Sequence, residues 1–236
     1  MNYYLDTEFH EYQKVITTKG EIGEVVHKVN TIELISIGIT SENNRDYYAI
    51  CKDFDVEAAW GNIWLRDNVL KPIYKELDVN HLSKEEVWRT SSFNKEGLLF
   101  YLNKYGKTSE VIAKEIISYT QGSLVTSYGK TMSTKSITTP PVFHAYYADY
   151  DWVVFCWLFG SMIDLPNGFP MYCKDLKQEL DNCESYVEEN YSWYGSSTWL
   201  EMVKGLPTYP KQLNEHNALA DAKWNLELHK FIHNEL

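Results

Sequence analysis

Five residues in three short stretches have the types and spacing for chemistry on a charged substrate. Asp6 and Glu8, in NYYLDTEF (2–9), are separated by one residue. Side chains on a strand alternate with period two, so both carboxylates face the same way. Two like charges on one face of an otherwise apolar strand repel each other. A divalent cation relieves that cost, and so would a strand end that reaches solvent. Asp151, in YYADYDWVVF (146–155), sits at a strand-to-helix junction together with Asp149. Helix N-termini favour acids, so capping is the plain alternative to a functional role for either one. His216 and Asp221 form an H-x4-D in EHNALADAKWN (215–225). The histidine precedes the last helix and the aspartate lies in its first turns, so both can point to one side. A purely structural pair is the alternative there.

The elements that must position these groups follow from apolar patterning. Residues 2–9 read as a short buried strand, followed by a polar stretch of about twenty residues. IELISIGIT (32–40) and DYYAIC (46–51) read as strands joined by a turn at Glu42-Asn43-Asn44, which makes an antiparallel meander. Short helices are expected within 52–107, and a helix over 108–120 that stops at Gly122. Residues 122–141 read as a loop. VFHAYYA (142–148) is expected as a strand, 149–159 as an apolar helix ended by Gly160, FPMYC (169–173) as a strand and KDLKQELDN (174–182) as a helix. Residues 184–210 read as loop-rich, and 217–234 as the last helix. Strands first, then strands alternating with helices, predict an α/β domain around a mixed sheet.

Taken together, D-x-E on the first strand, an aspartate at a mid-chain strand–helix junction and H-x4-D opening the last helix resemble the motif set of the DEDDh 3'-5' exonucleases. These are the DnaQ-like superfamily with a ribonuclease H-like fold. YLDTEF is similar to the first motif, YYADYD to the second with Asp151 as the matching acid, and HNALADA to the third. ISIGI, DFD (53–55), DNVL (67–70), YYADYDWVVF, LFGSMIDLP (158–166), FPMYC and HNALADAKWN narrow the likeness to bacterial 3'-5' exoribonucleases of the polyadenylate-specific exoribonuclease AS-like group. The likeness spans most of residues 1–236 as one exonuclease domain. It is sparse across 71–107, 122–138 and 184–205, which look like elaborations. Tyr147 stands where many relatives of the second motif carry Asn or His.

The resemblance implies a central mixed sheet, an antiparallel meander plus parallel strands, flanked by helices. It also implies two Mg²⁺ or Mn²⁺ ions per active site, about 4 Å apart, held by Asp6, Glu8, Asp151 and Asp221. His216 is then the general base. The implied substrate is single-stranded RNA or an RNA 3' overhang, shortened from its 3' end to nucleoside 5'-monophosphates, and the implied assembly is a possible homodimer. Thr7 and Phe9, on either side of Glu8, are the candidate substrate contacts. Phe9 suits stacking on a terminal base, a core phenylalanine being the alternative. A DNA exonuclease of the proofreading type would use the same chemistry, since only contacts to the 2'-hydroxyl separate RNA from DNA. A nucleic-acid-binding module that kept the fold without catalysis is a reading of another class, and all five catalytic residue types are present against it. A carbohydrate-active enzyme needs only two of the acids and leaves the H-x4-D unexplained.

Composition sets the outer bounds. The chain has 236 residues, a net charge of −11 and three arginines, Arg45, Arg66 and Arg89. That argues against a protein coating duplex nucleic acid through a broad basic face, not against one gripping a strand end in a cleft. Aromatics reach 15%, with 18 Tyr and 8 Trp, so a real core is expected. No apolar run approaches the roughly 18 residues of a membrane span. The start, MNYYLDTEFHEY, lacks the basic flank and apolar run of a signal peptide, so a cytoplasmic location is expected. Cys51, Cys156, Cys173 and Cys183 form no CxxC and read as free thiols. His229 and His233 are one helical turn apart but lack the HExxH pattern, and they read as a solvated helix face.

Overall fold

The computed structural model describes residues 1–20, 23–81, 92–121, 140–190 and 198–236. The chain is an α/β protein built on a five-stranded mixed sheet flanked by helices, with strand order β3-β2-β1-β4-β5. Strands β1 (Asn2–Gly20), β2 (Gly23–Ser41) and β3 (Asp46–Ile50) form the antiparallel meander. The turn between the last two puts Asn44 at φ 57°, a conformation asparagine tolerates. Helices α1 (Val56–Gly61) and α2 (Ile63–Leu65) lead through a π turn, Arg66–Leu70, into α3 (Lys71–His81). Helices α4 (Lys95–Tyr105) and α5 (Ser109–Gln121) follow. Strand β4 (Val142–Ala145) then runs parallel to β1 and feeds α6 (Ala148–Trp157). The two-residue β5 (Lys174–Asp175) precedes α7 (Leu176–Asp181), α8 (Glu184–Asn190), α9 (Trp199–Lys204) and α10 (Ala218–Glu235). Among the described residues no helix is long and apolar enough to cross a membrane.

The alternation of β1 sorts its side chains to the two faces of the sheet. Tyr3 and Leu5 join Ile37, Ile39 and Phe143 in a core closed by Ile112 and Ile116 of α5 and Trp152 and Phe155 of α6. Tyr4 faces the other way, into a core with Leu176 and Leu180 of α7 and Trp224, Leu228, Phe231 and Ile232 of α10. Asp6 and Glu8 continue the Tyr4 face. A third cluster gathers Ile35 and Ile50 with the helices from α1 to α4. Ile35 is the extra residue of a bulge: Glu8 pairs with Ser36 but Phe9 with Leu34. Bulges bend a strand and re-aim side chains, and this one lies directly beside Glu8.

Three expectations need correction. The polar stretch after residue 9 is not a connection: β1 and β2 run on through it as a two-stranded ribbon that projects beyond the sheet. Both faces of the ribbon meet solvent, with Val15, Val25, Val26 and Val29 exposed, so no in–out alternation marks it. Backbone pairing holds it, with cross-strand side-chain pairs such as Lys14–Glu33 at 2.9 Å. Second, FPMYC is not a strand. Gly168 at φ 90° turns the chain, Pro170 has no N–H to give a ladder, and pairing begins only at Lys174. Third, β4 ends at Ala145, because Tyr146 and Tyr147 make a left-handed turn, Tyr147 at φ 56°. The loop expected over 122–141 falls, up to residue 139, outside the described residues, as do residues 82–91 and 191–197 of the sparse regions.

Candidate active site

Strand β1 pairs with β4 only through Asn2–Tyr4. Beyond that the two strands part, and the edge of β1 offers unpaired backbone groups that must find other partners. Side chains supply them. The Asn225 amide of α10, 1% exposed, donates to the Leu5 carbonyl at 2.9 Å. The Thr7 N–H donates to Asp151 Oδ1 at 2.8 Å, and the Thr7 hydroxyl donates to the same oxygen at 2.5 Å. The second-motif acid is thereby fixed to the strand that carries the first motif, with these bonds falling on one oxygen. Asp149 is exposed while Asp151 is buried, so the two acids part as their two-residue offset on a helix requires. Neither caps α6: Ala148 N–H donates instead to Asp175 Oδ2 at 3.1 Å.

On the Tyr4 face, Asp6, Glu8 and Asp221 converge. One carboxylate oxygen from each lies within 4.8 Å of the others. Asp221 is held by Gln212 Nε2 at 2.7 Å and by the His216 N–H at 2.9 Å. His216 itself has φ 67°, a left-handed conformation uncommon for a non-glycine residue. Its ring packs edge-on against Trp64, centroids 4.9 Å apart. It does not cap α10; Asn217 does, accepting from Ala220 N–H at 3.0 Å. The helix start can approach the sheet this closely because Gly38, opposite Asp6 in the β1–β2 register, has no side chain. A Cβ there would lie 2.3 Å from backbone atoms of Ala218 and Leu219.

Burial of these acids is electrostatically unfavourable without a counter-charge. Desolvation raises the Asp6 carboxyl well above the ordinary carboxylate range, and Asp151, Glu8 and Asp221 push it further. Glu8 is pushed up to about 8 by desolvation, then by Asp221 and Asp151. Asp151 rises to about 7 through desolvation, against the two Thr7 hydrogen bonds that favour its charged form. Asp221 is raised by desolvation and held back by Gln212 and the His216 N–H. Hard carboxylate oxygens converging in this way are the donor set of Mg²⁺ or Mn²⁺, and such an ion would balance them.

Of the remaining candidates, Thr7 is buried with its hydroxyl committed to Asp151. Phe9 is half-buried, packs against the core on the Tyr3 and Leu5 face, and stacks on the exposed Tyr150, centroids 5.7 Å apart. Sequence reasoning missed Gly38, Trp64, Gln212 and Asn225. Only Gly38, an isolated glycine inside an apolar strand, carried a signal, that of close backbone approach. All four cysteines are free thiols.

No family model matches the chain. It is similar along nearly its whole length to curated 3'-5' exoribonucleases from two strains of Mycobacterium tuberculosis, CDC 1551 / Oshkosh and ATCC 25618 / H37Rv. Each is 25% identical over 233 residues, which cover 98% of this chain and 93% of the relative.

Proposed function

We propose that the chain is a metal-dependent 3'-5' exoribonuclease with a ribonuclease H-like fold and a DEDDh site of Asp6, Glu8, Asp151, His216 and Asp221. The observation that carries this reading is the convergence of a half-buried Asp6 with the buried Glu8 and Asp221, with Asp151 tied to the intervening Thr7. The names of the two mycobacterial relatives point to the same activity and to RNA as the substrate.

Two bound Mg²⁺ or Mn²⁺ ions would supply Lewis acidity that polarises the scissile phosphate and activates water. Asp6, Glu8, Asp151 and Asp221 would hold them with oxygen ligands. His216 accepts the proton of the attacking water. The water oxygen joins phosphorus, the P–O3' bond to the penultimate nucleotide breaks, and the released 3'-oxygen is protonated. A nucleoside 5'-monophosphate leaves. The exposed Tyr150, stacked on Phe9, would offer the terminal base an aromatic surface, which accepts any base. Thr7 acts through Asp151, which it orients, rather than on the substrate.

The test is incubation with 5'-labelled RNA and DNA oligomers in Mg²⁺, Mn²⁺ or EDTA. A ladder shortening from the 3' end of RNA, absent in EDTA, is the expected result. Faster shortening of DNA would move the assignment to a proofreading-type exonuclease. Binding without shortening would leave a non-catalytic module on the same fold.

A further inference from the structure

Of the two helical histidines expected on a solvated face, His233 is exposed but His229 is largely covered. Two residues from other elements meet them: His144 of β4, 1% exposed, and Glu179 of α7. The Glu179 carboxylate lies 4.0 Å from His144 Nδ1, 3.9 Å from His229 Nε2 and 3.6 Å from His233 Nε2. These separations are too long for hydrogen bonds. His144 Nδ1 and Glu179 Oε2 are both buried with no hydrogen-bond partner, a costly arrangement for polar atoms at this depth. Ligand atoms of His144, Glu179 and His229 all lie within 4.8 Å of one another. Donors about 2.1 Å from a tetrahedral ion stand about 3.4 Å apart, so small side-chain adjustments would close the shell.

The far side of each buried ring is also held. His144 Nε2 lies 3.3 Å from Asn2 Oδ1, and an N–H there can donate to that oxygen. His229 Nδ1 lies 2.7 Å from the Tyr4 hydroxyl. In the tautomers that donate from His144 Nε2 to Asn2 and from His229 Nδ1 to the Tyr4 hydroxyl, His144 Nδ1 and His229 Nε2 have lone pairs free for a metal, the arrangement of metal-ligating histidines with outer-shell partners. Desolvation keeps both rings neutral, lowering His144 to about 3 and His229 to about 4. Lys174, next to His144 across β4–β5, works against a cation.

We propose that His144, Glu179 and His229, with His233 at the rim, form a second metal site for a zinc-like transition dication, separate from the carboxylate cluster. Imidazole donors select such ions over Mg²⁺. The site joins β4, whose apolar Phe143 and Ala145 lie in the opposite core, to α7 and α10, which share the Tyr4-side core. Strand β4 leads into the helix that carries Asp151, and α10 carries Asp221 two turns, about 12 Å, before His229. An ion there would therefore staple the scaffold of the carboxylate cluster without taking part in it.

The test uses the full chain with Asp6→Asn, Glu8→Gln and Asp221→Asn, so that metal bound by the carboxylate cluster does not contribute. Co²⁺ binding is followed by visible absorption and Zn²⁺ by equilibrium dialysis. We expect one Zn²⁺ per chain, a tetrahedral Co²⁺ spectrum that Zn²⁺ displaces, and no competition from Mg²⁺. Tyr4→Phe, which removes only the hydroxyl behind His229, should weaken Zn²⁺ about 10-fold. Glu179→Gln should weaken it more, and the exposed His233→Ala is the variant least able to disturb folding. Circular dichroism without metal confirms that each variant folds. Zn²⁺ binding unchanged in Glu179→Gln and His233→Ala, or no Zn²⁺ bound at micromolar concentration, would overturn the proposal.

Discussion

Gly38→Ala isolates the close approach that seats Asp221. The added methyl would lie 2.3 Å from the Ala218 carbonyl carbon and oxygen and 2.3 Å from the Leu219 nitrogen, against 3.4–4 Å for ordinary contact. All three atoms are backbone, so no rotamer relieves the clash, and α10 must withdraw by about 1 Å or more. Gly38 is not at positive φ, so the substitution tests space and not backbone conformation. Overpacking of this kind costs about 1–3 kcal/mol, which for a chain of this size lowers Tm by roughly 2–12 °C. Asp221 lies one turn further along α10 and retreats with the helix from Asp6 and Glu8. A displacement of about 1 Å at a reacting centre costs roughly 10²-fold in rate. The assay pairs a thermal melt in EDTA with single-turnover RNA cleavage over a Mn²⁺ series, where higher Mn²⁺ should recover part of the loss. The opposite result is well defined. If α10 does not press on Gly38, replacing a strand glycine with alanine stabilises by about 0.4–1 kcal/mol through the unfolded chain. A raised Tm with unchanged Mn²⁺ affinity would refute the packing on which the site geometry depends.

Asp6→Asn, Glu8→Gln, Asp151→Asn and Asp221→Asn should each abolish metal-dependent cleavage while the chain stays folded. The exposed Asp149→Asn should cleave normally; if it is the inactive variant, the second motif has been placed two residues out. In EDTA, Tm should fall as pH rises from about 5 to 8. Glu8 and Asp151 bind protons more tightly folded than unfolded, with carboxyls raised to about 8 and about 7, so their contribution is full at low pH and lost as they ionise. Mn²⁺ should reverse that slope, and a Tm in EDTA that rises over the same range would contradict the burial. His216→Ala should slow single-turnover cleavage by about 10²–10⁴-fold with little change in Tm. Asn217→Ala should do the reverse, costing about 1 kcal/mol of stability as a lost cap. A normal rate in His216→Ala would end the general-base assignment.

The acids could be read from sequence because their signals are local. Asp6 and Glu8 share a face through strand alternation alone, and Asp221 sits in the first turn of a helix whose apolar periodicity is plain. What holds them is not local. Asn225 reaches the Leu5 carbonyl across almost the whole chain, and Gln212 reaches Asp221 from an irregular segment with no pattern of its own. The β1–β2 ribbon was illegible for a different reason. A strand pair wetted on both faces has no in–out alternation, and only its β-branched content (VITT at 15–18, VV at 25–26) hinted at strand. The surroundings of His229 were illegible because Glu179 and His144 come from other elements, and a helical pair read alone shows none of its partners.

Helix α10 ties these observations together. Along the side that faces the sheet it makes contacts of three different kinds: backbone against Gly38 at its start, the Asn225 amide on the Leu5 carbonyl in its middle, and His229 against the Tyr4 hydroxyl near its end. A helix resting on apolar contacts alone can slide or roll by a fraction of a turn at small cost, because such contacts are non-directional. A buried amide-to-carbonyl bond and a backbone-on-glycine contact do not permit that. Asp221 lies between the first and second of these restraints, so its carboxylate stays close to Asp6 and Glu8 even though the three repel one another before a cation arrives. Preorganisation of mutually repelling acids is what a site needs if it is to bind a small, strongly hydrated dication without rearranging. The stability lost in burying them is offset by the apolar cores on both faces of the sheet.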